Sequence, residues 1–214
     1  MTADLRASPR FALSLWLLAF ALPLAGARWL CPDGQCRVPP IDGDLLAALS
    51  AMRSPLWDEL AAGWTWLGSI VLLGPLLALV ALMLARRGRR DEAVFVVGAM
   101  AGAVALCQGF KYWIQRPRPG LHELVGALPG DPSFPSAHTM QAAAGLLILA
   151  LVAPTRWRRP ALLLMLVAVL GVALTRLYLQ VHFPSDVVVG LLAGWLWVLG
   201  CRALLLPAQP SATP

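Results

Sequence analysis

Apolar blocks of roughly twenty residues recur along this 214-residue chain, and a helix of that length crosses a hydrocarbon core of about 30 Å. The hydrophobic fraction is 59% and the charged fraction only 13%, about half the charge usual in a soluble domain. The composition is also far too apolar for a disordered chain. An all-α, polytopic membrane protein is the expected fold class, with a single domain over residues 1–214 and no internal repeat.

Six spans are expected, at about 11–30, 60–85, 92–110, 138–154, 160–180 and 185–206. Residues 1–30 hold the first span, and Arg6, Arg10 and the small residues Ala25-Gly26-Ala27 give it a signal-like look. Residues 31–59 are expected to form an outer loop with a short helix, 60–206 the main helical core, and 207–214 a flexible tail.

The net charge is +6, but the basic residues make no continuous stripe of the kind a nucleic acid requires. They cluster between apolar blocks: Arg86, Arg87, Arg89 and Arg90 in one loop, Arg156, Arg158 and Arg159 in another. With Arg6 and Arg10 they share one side of a six-span layout, and the positive-inside rule makes that side cytoplasmic. The 31–59 segment, with Asp33, Asp42, Asp44, Asp58 and Glu59 against Arg37 and Arg53, then lies outside. Cys31 and Cys36 bracket a turn there and suit a disulfide in an oxidising compartment. Cys107 and Cys201 fall near opposite faces and are expected to stay unpaired, packed as small hydrophobes.

Three polar clusters converge on the outer face. After the third span stands Lys111-Tyr-Trp-Ile-Gln-Arg116-Pro-Arg118-Pro119, with the chain's single lysine. Before the fourth stands Ser133-Phe134-Pro135-Ser136-Ala137-His138. Between the fifth and sixth stand Thr175-Arg176, His182 and Asp186. Three cations held near a low-dielectric interface are costly unless an anion or a wet cavity compensates them, and guanidinium forks suit phosphate oxygens. Asp186 is four residues after His182, so one helical turn brings a carboxylate to the imidazole, with Pro184 tolerated in the first turn. The carboxylate can then fix the tautomer of a histidine nucleophile. His138 is available to protonate a leaving oxygen, and the helix start at Ser136 and Ala137 favours a bound phosphate.

Lys111, six residues, then Arg118-Pro119; Pro135-Ser136-Ala137-His138; and Arg176, five residues, His182, three residues, Asp186 resemble, in order, the three signatures of the type-2 phosphatidic acid phosphatase superfamily. The resemblance covers about residues 45–205. It implies a six-span lipid phosphatase with its site on the outer, periplasmic face of a bacterial inner membrane. His182 would form a phosphohistidine, Asp186 would orient it, and His138 would be the general acid. Lys111, Arg118, Arg176, Ser136 and the Ala137 amide would bind phosphate, with no metal and no cofactor. Ala137 stands where the family usually has glycine, and Thr175 where serine is common before the arginine; neither change removes a catalytic group. Undecaprenyl diphosphate is the favoured substrate, with phosphatidylglycerol phosphate and phosphatidic acid as competitors. A lipid phosphotransferase, passing phosphate to lipid A or another lipid, would carry the same residues. An anion or lipid transporter is the non-enzymatic alternative.

Taken singly, each residue has a plain explanation: cations snorkelling to headgroups, Ser136 as a helix cap, Arg176 and Asp186 as a bundle ion pair. The joint spacing is what outweighs them. Arg116 falls outside that spacing and is expected to assist binding or sit at the interface; His122 is a loop residue. Leu121, Leu124, Val125 and Leu128 follow helical spacing and suit either a short interfacial helix or simple loop packing. Gly98-x-x-x-Gly102 and Gly190-x-x-x-Gly194 allow close helix contact within the subunit. Trp29, Trp57, Trp64 and Trp113 suit an outer aromatic belt.

Overall fold

In a computed structural model that describes residues 9–206, helices are the only regular structure among the described residues. Arg6 and the expected tail at 207–214 lie outside them. The helices are α1 (Pro9–Leu30), α2 (Pro40–Ala51), α3 (Pro55–Trp64), α4 (Ile70–Arg86), α5 (Arg90–Ile114), α6 (Ala137–Val152), α7 (Thr155–Tyr178) and α8 (Pro184–Leu205). Five segments are long and apolar enough to cross a membrane: α1, the run Pro55–Arg86, α5, α7 and α8. The sixth, α6, has 16 residues. At 1.5 Å per residue that gives about 24 Å, less than a hydrocarbon core. It can be short because α4, α5, α7 and α8 all pack against it and nearly every residue on it is buried. The expected multi-pass helical bundle is therefore what forms, with side chains such as Leu163, Leu164 and Val167 exposed on its outside, as lipid rather than water requires.

Two boundaries differ from the expected ones. The 31–59 segment holds one complete short helix, α2, and the start of a second, α3, rather than a single helix. Both start with proline in the first turn, Pro40 and Pro55. The second span is not continuous: a 3₁₀ turn at Thr65–Gly68 separates α3 from α4, and Ser69 caps α4 by accepting the Val71 N–H at 3.2 Å. Glycine is required at the break, because a Cβ on Gly68 would stand 2.5 Å from the His138 carbonyl oxygen. The turn thus seats directly on the start of α6.

The arginines of the 86–90 and 156–159 loops gather at one end of the bundle. Arg89 and Arg158 donate to the last carbonyls of α6, at Val152 (3.4 Å) and Leu151 (3.2 Å). The three polar clusters gather at the other end, with α2 and α3. There Cys31 and Cys36 form a disulfide, while Cys107 and Cys201 are buried and free. Trp29, Trp57, Trp64 and Trp113 are exposed at this end.

Helix α8 lies tight against α6. A Cβ on Gly190 would come within 2.8 Å of the Ser136 carbonyl oxygen, and one on Gly194 within 2.8 Å of the Met140 carbonyl oxygen. The Gly190/Gly194 pair therefore packs inside the subunit. Of the other pair, Gly98 faces open space and Gly102 meets the Trp197 ring, whose Nε1 donates to the Ala99 carbonyl at 2.9 Å. Gly190→Ala is expected to lower stability by about 1–3 kcal/mol, the usual cost of overpacking. Thermal unfolding in detergent reads this as a lower Tm; an unchanged Tm refutes the close contact.

Candidate active site

The Arg176–Asp186 segment sets the geometry. Helix α7 ends at Tyr178, and Gln180 takes a left-handed φ of 59° while its Nε2 donates to the Leu46 carbonyl at 3.0 Å. The chain turns, and α8 starts with Pro184 in its first turn, as expected. Asp186 accepts the Phe183 N–H at 2.9 Å, the position from which a carboxylate favours a helix N-terminus. His182 and Asp186 thereby face each other, both fully buried.

Their contact has an added member. His182 Nδ1 is 3.6 Å from Asp186 Oδ2, beyond hydrogen-bond range. Ser133 Oγ bridges them, 3.3 Å from Nδ1 and donating to Asp186 Oδ2. On the other side of the ring, Arg118 Nη1 is 3.1 Å from Nε2. Guanidinium only donates, so Nε2 is the accepting nitrogen and the ring proton is on Nδ1, towards Ser133 and Asp186. The lone pair on Nε2 therefore faces the cations. Burial pushes the His182 imidazole down to about 3, against the pull of Asp186 and with the help of Arg118 and Arg176. The ring is neutral at physiological pH, the state in which an imidazole nitrogen has a lone pair to offer.

Lys111 and Arg118 meet through a residue the motif spacing does not include. Asp131 Oδ2 is 2.8 Å from Lys111 Nζ, and its Oδ1 is 2.7 Å from Arg118 Nη2. Lys111 also donates to the Pro132 carbonyl. Burial acts to raise the Asp131 carboxyl, but the bonds to Lys111 and Arg118 prevail and hold it at about 2. Arg176 stands apart from this group: its Nη1 donates to Thr65 Oγ1 at 2.8 Å, in the turn between α3 and α4. Its buried Nε has no hydrogen-bond partner.

Ser136 caps no backbone amide; its buried hydroxyl pairs with Thr139 Oγ1 at 3.0 Å, and its N–H donates to the Asp186 carbonyl at 3.1 Å. Ala137 opens α6, so its amide is one of the free N–H groups of a helix start. His138, in the same turn, lies within electrostatic reach of Arg176, Arg118, Asp131 and Lys111. The expected residues thus share one end of the bundle, though Ser136 and Arg176 are bonded to neighbours rather than to the histidines.

Arg116 is the largest revision. It is neither at the interface nor exposed: it is 1% exposed and bridges two carboxylates, Asp186 Oδ1 at 2.5 Å and Asp42 Oδ2 at 3.2 Å. Gln115 in left-handed conformation (φ 51°) ends α5 and turns the chain so that Arg116 points inward. Ser185 completes the group, its hydroxyl donating to Asp42 at 2.6 Å. Helix α2 is thereby wired to the carboxylate beside His182. Of the two readings of residues 121–128, loop packing is the one the structure shows, with no helix there. Proline and glycine punctuate the segment, and Leu124 and Val125 instead pack on Ala61, Leu179 and Val181. His122 is a loop residue.

A helical membrane bundle that ends in two histidines among three cations is the architecture of an enzyme acting on phosphate esters at a membrane. Residues 92–209 match the PAP2 superfamily, and the chain belongs to it: a multi-pass lipid phosphatase. Among its relatives, the decaprenylphosphoryl-5-phosphoribose phosphatase of Mycobacterium tuberculosis is 33% identical over 70% of this chain and 84% of its own length. The phosphatidylglycerophosphatase B of Bacillus subtilis is 28% identical over 74% of this chain and 80% of its own. Among solved structures, a transmembrane PAP2-type phosphatidylglycerolphosphate phosphatase from Bacillus subtilis superimposes with a TM-score of 0.74. It is 27% identical, over 89% of this chain and 94% of that one. Aquifex aeolicus LpxE gives a TM-score of 0.59 at 26% identity, over 73% of this chain and 91% of its own.

Proposed function

We propose that this phosphatase hydrolyses a lipid-linked phosphomonoester or diphosphate through a phosphohistidine at His182, without a metal. The observation that carries this reading is the polarity of the imidazole: Nδ1–H turned to Ser133 and Asp186, and the Nε2 lone pair turned to the cations. Nε2 attacks phosphorus, and the bond from phosphorus to the lipid-side oxygen breaks. His138, entering as the imidazolium that the negative charge of the bound phosphate favours, gives that oxygen a proton and is left neutral. His138 then takes a proton from water as the water oxygen attacks phosphorus. The P–N bond breaks, and its electron pair returns to Nε2. Lys111, Arg118, Arg176 and the Ala137 amide supply the charge neutralisation that phosphoryl transfer requires, with Ser136 alongside. Asp186 orients the nucleophile, held in turn by Arg116.

The favoured substrate is a polyprenyl-linked phosphate, undecaprenyl diphosphate first. The relative named for a decaprenyl phosphate ester supports a polyprenyl tail; the structural likeness to a phosphatidylglycerolphosphate phosphatase supports that lipid as the second reading. The arginine-rich end faces the cytoplasm by the positive-inside rule, and the disulfide suits an oxidising periplasm at the other end. The site then opens towards the outer leaflet of a bacterial inner membrane.

The test is phosphate release by the purified protein in detergent with a chelator, from undecaprenyl diphosphate, phosphatidylglycerol phosphate and phosphatidic acid. Chelator-resistant release, fastest from undecaprenyl diphosphate, is expected. Release abolished by the chelator refutes the metal-free mechanism, and a faster phospholipid reverses the substrate order. Release that appears only when an acceptor lipid is added makes the enzyme a phosphotransferase.

A further inference from the structure

We propose that Asp131 is a resident anion of the phosphate subsite: between turnovers it occupies Lys111 and Arg118, and an incoming phosphate must displace it. This rests on the reading above, in which those two cations bind the substrate phosphate.

The donor inventory is the first argument. Every nitrogen of Arg118 is engaged: Nε donates to the Asp131 carbonyl at 2.8 Å, Nη2 to its carboxylate at 2.7 Å, and Nη1 to the Val181 carbonyl at 2.7 Å, with His182 Nε2 at 3.1 Å. Lys111 is engaged by Asp131 at 2.8 Å and by the Pro132 carbonyl. A phosphate reaching these cations finds a carboxylate already seated on both, and two anions sharing one site disfavour each other. Of the three candidate phosphate-binding cations, Arg176 has a buried Nε with no hydrogen-bond partner.

Accessibility is the second argument. The side chains of Lys111 and Arg118 are 0% and 6% exposed, whereas that of Asp131 is 36% exposed. The anion therefore sits on the water side of the cations it covers, and it can leave without crossing them. It belongs to a segment with no helix between Ile114 and Ala137, so its departure breaks no helical ladder. Its carboxyl is held at about 2, so it stays ionised at any pH at which the enzyme works. Release comes by displacement and not by protonation.

The same displacement frees the nucleophile. While Arg118 is held by Asp131, its Nη1 lies against the Nε2 lone pair of His182. A phosphate that draws the guanidinium to itself exposes that lone pair at the moment phosphorus arrives. Between turnovers, the resident carboxylate also speeds loss of the product phosphate by taking back its cations.

Asp131→Asn keeps the shape and removes the charge, and Asp131→Glu keeps the charge. If the resident anion occupies the subsite about nine-tenths of the time, its removal tightens phosphate binding about tenfold. Inorganic phosphate binding to the full-length protein in detergent, measured by calorimetry, is expected to be about tenfold tighter in Asp131→Asn and near wild type in Asp131→Glu. The KM for lipid phosphate should fall in parallel. Asp131 as a mere strut for Lys111 and Arg118 predicts the opposite sign: phosphate binding unchanged or weaker in Asp131→Asn, which overturns the proposal. Arg176→Met separates this failure from that of the site itself. If it binds phosphate as tightly as wild type, the phosphate does not sit among these cations, and both readings fall.

Discussion

Replacing His182 with alanine is expected to lower phosphate release by about 10⁴-fold or more, the scale seen when a nucleophile is removed from a site whose groups act as a unit. The ring is fully buried, but its bonds run only to Ser133 and Arg118, with Asp186 near. Its loss leaves no strong buried donor unpaired except the Ser133 hydroxyl, which keeps Asp186. The variant should therefore fold, and a Tm in detergent checks that it has. A His138→Gln variant refines the test. It should slow the reaction of poor leaving groups strongly and that of a nitrophenyl phosphate much less, because only the former need a proton as the ester bond breaks. With the good leaving group, the first step survives while hydrolysis of the intermediate lacks its base. Acid-labile, alkali-stable phosphate should then accumulate on the protein. A His182→Ala protein that folds and retains more than about one hundredth of wild-type turnover would falsify the phosphohistidine route.

The candidate histidines and cations were legible as a cluster because phosphoryl-transfer chemistry would fix their spacing along helices. His182 and Asp186 need one helical turn, Lys111 and Arg118 straddle the end of α5, and Ser136 to His138 begin a helix. The bundle was legible because lipid demands long apolar runs. The residues that complete the site were hidden for a common reason: each depends on irregular backbone. Asp131 and Ser133 belong to the proline- and glycine-rich segment between α5 and α6, where neither a 3.6-residue nor a 2-residue period operates. Arg116 turns inward only because Gln115 adopts a left-handed conformation, a choice no side-chain pattern announces. Thr65 reaches Arg176 because the second span breaks at Gly68, inside what reads as one apolar run. A partial signal did exist for α2 and α3, since Pro40 and Ser54-Pro55 are helix-start signatures. Nothing in the sequence links Asp42, at the start of α2, to a carboxylate 144 residues further on.

That link yields the second large effect. Replacing Arg116 with methionine should destabilise the protein by about 3–5 kcal/mol, the cost of removing one partner from a buried ion pair. Arg116 serves two carboxylates at once, with Asp42 and Asp186 each no more than 1% exposed, so its loss strands both. Asp186 would then be pulled from Ser133 and His182 by the need to find another donor, and kcat should fall with the stability. Lysine cannot restore this, because one ammonium lacks the planar fork that reaches two carboxylates, and it also forfeits the guanidinium stacked 4.1 Å over the Phe183 ring. Adding Asp42→Asn to Arg116→Met removes one stranded charge. The double variant should therefore be less destabilised than the sum of the singles, with a coupling of about 1–3 kcal/mol. Unfolding in detergent for the four proteins of the cycle measures this, and kcat at saturating substrate is read beside it. Strict additivity, or an Arg116→Met protein with wild-type Tm and kcat, means that the buried network is decoration. Coupling in stability without any change in kcat means that α2 braces the bundle but not the nucleophile. Coupling in both makes Asp42, which lies outside the residues that match the superfamily, part of the machinery that holds His182 ready to attack.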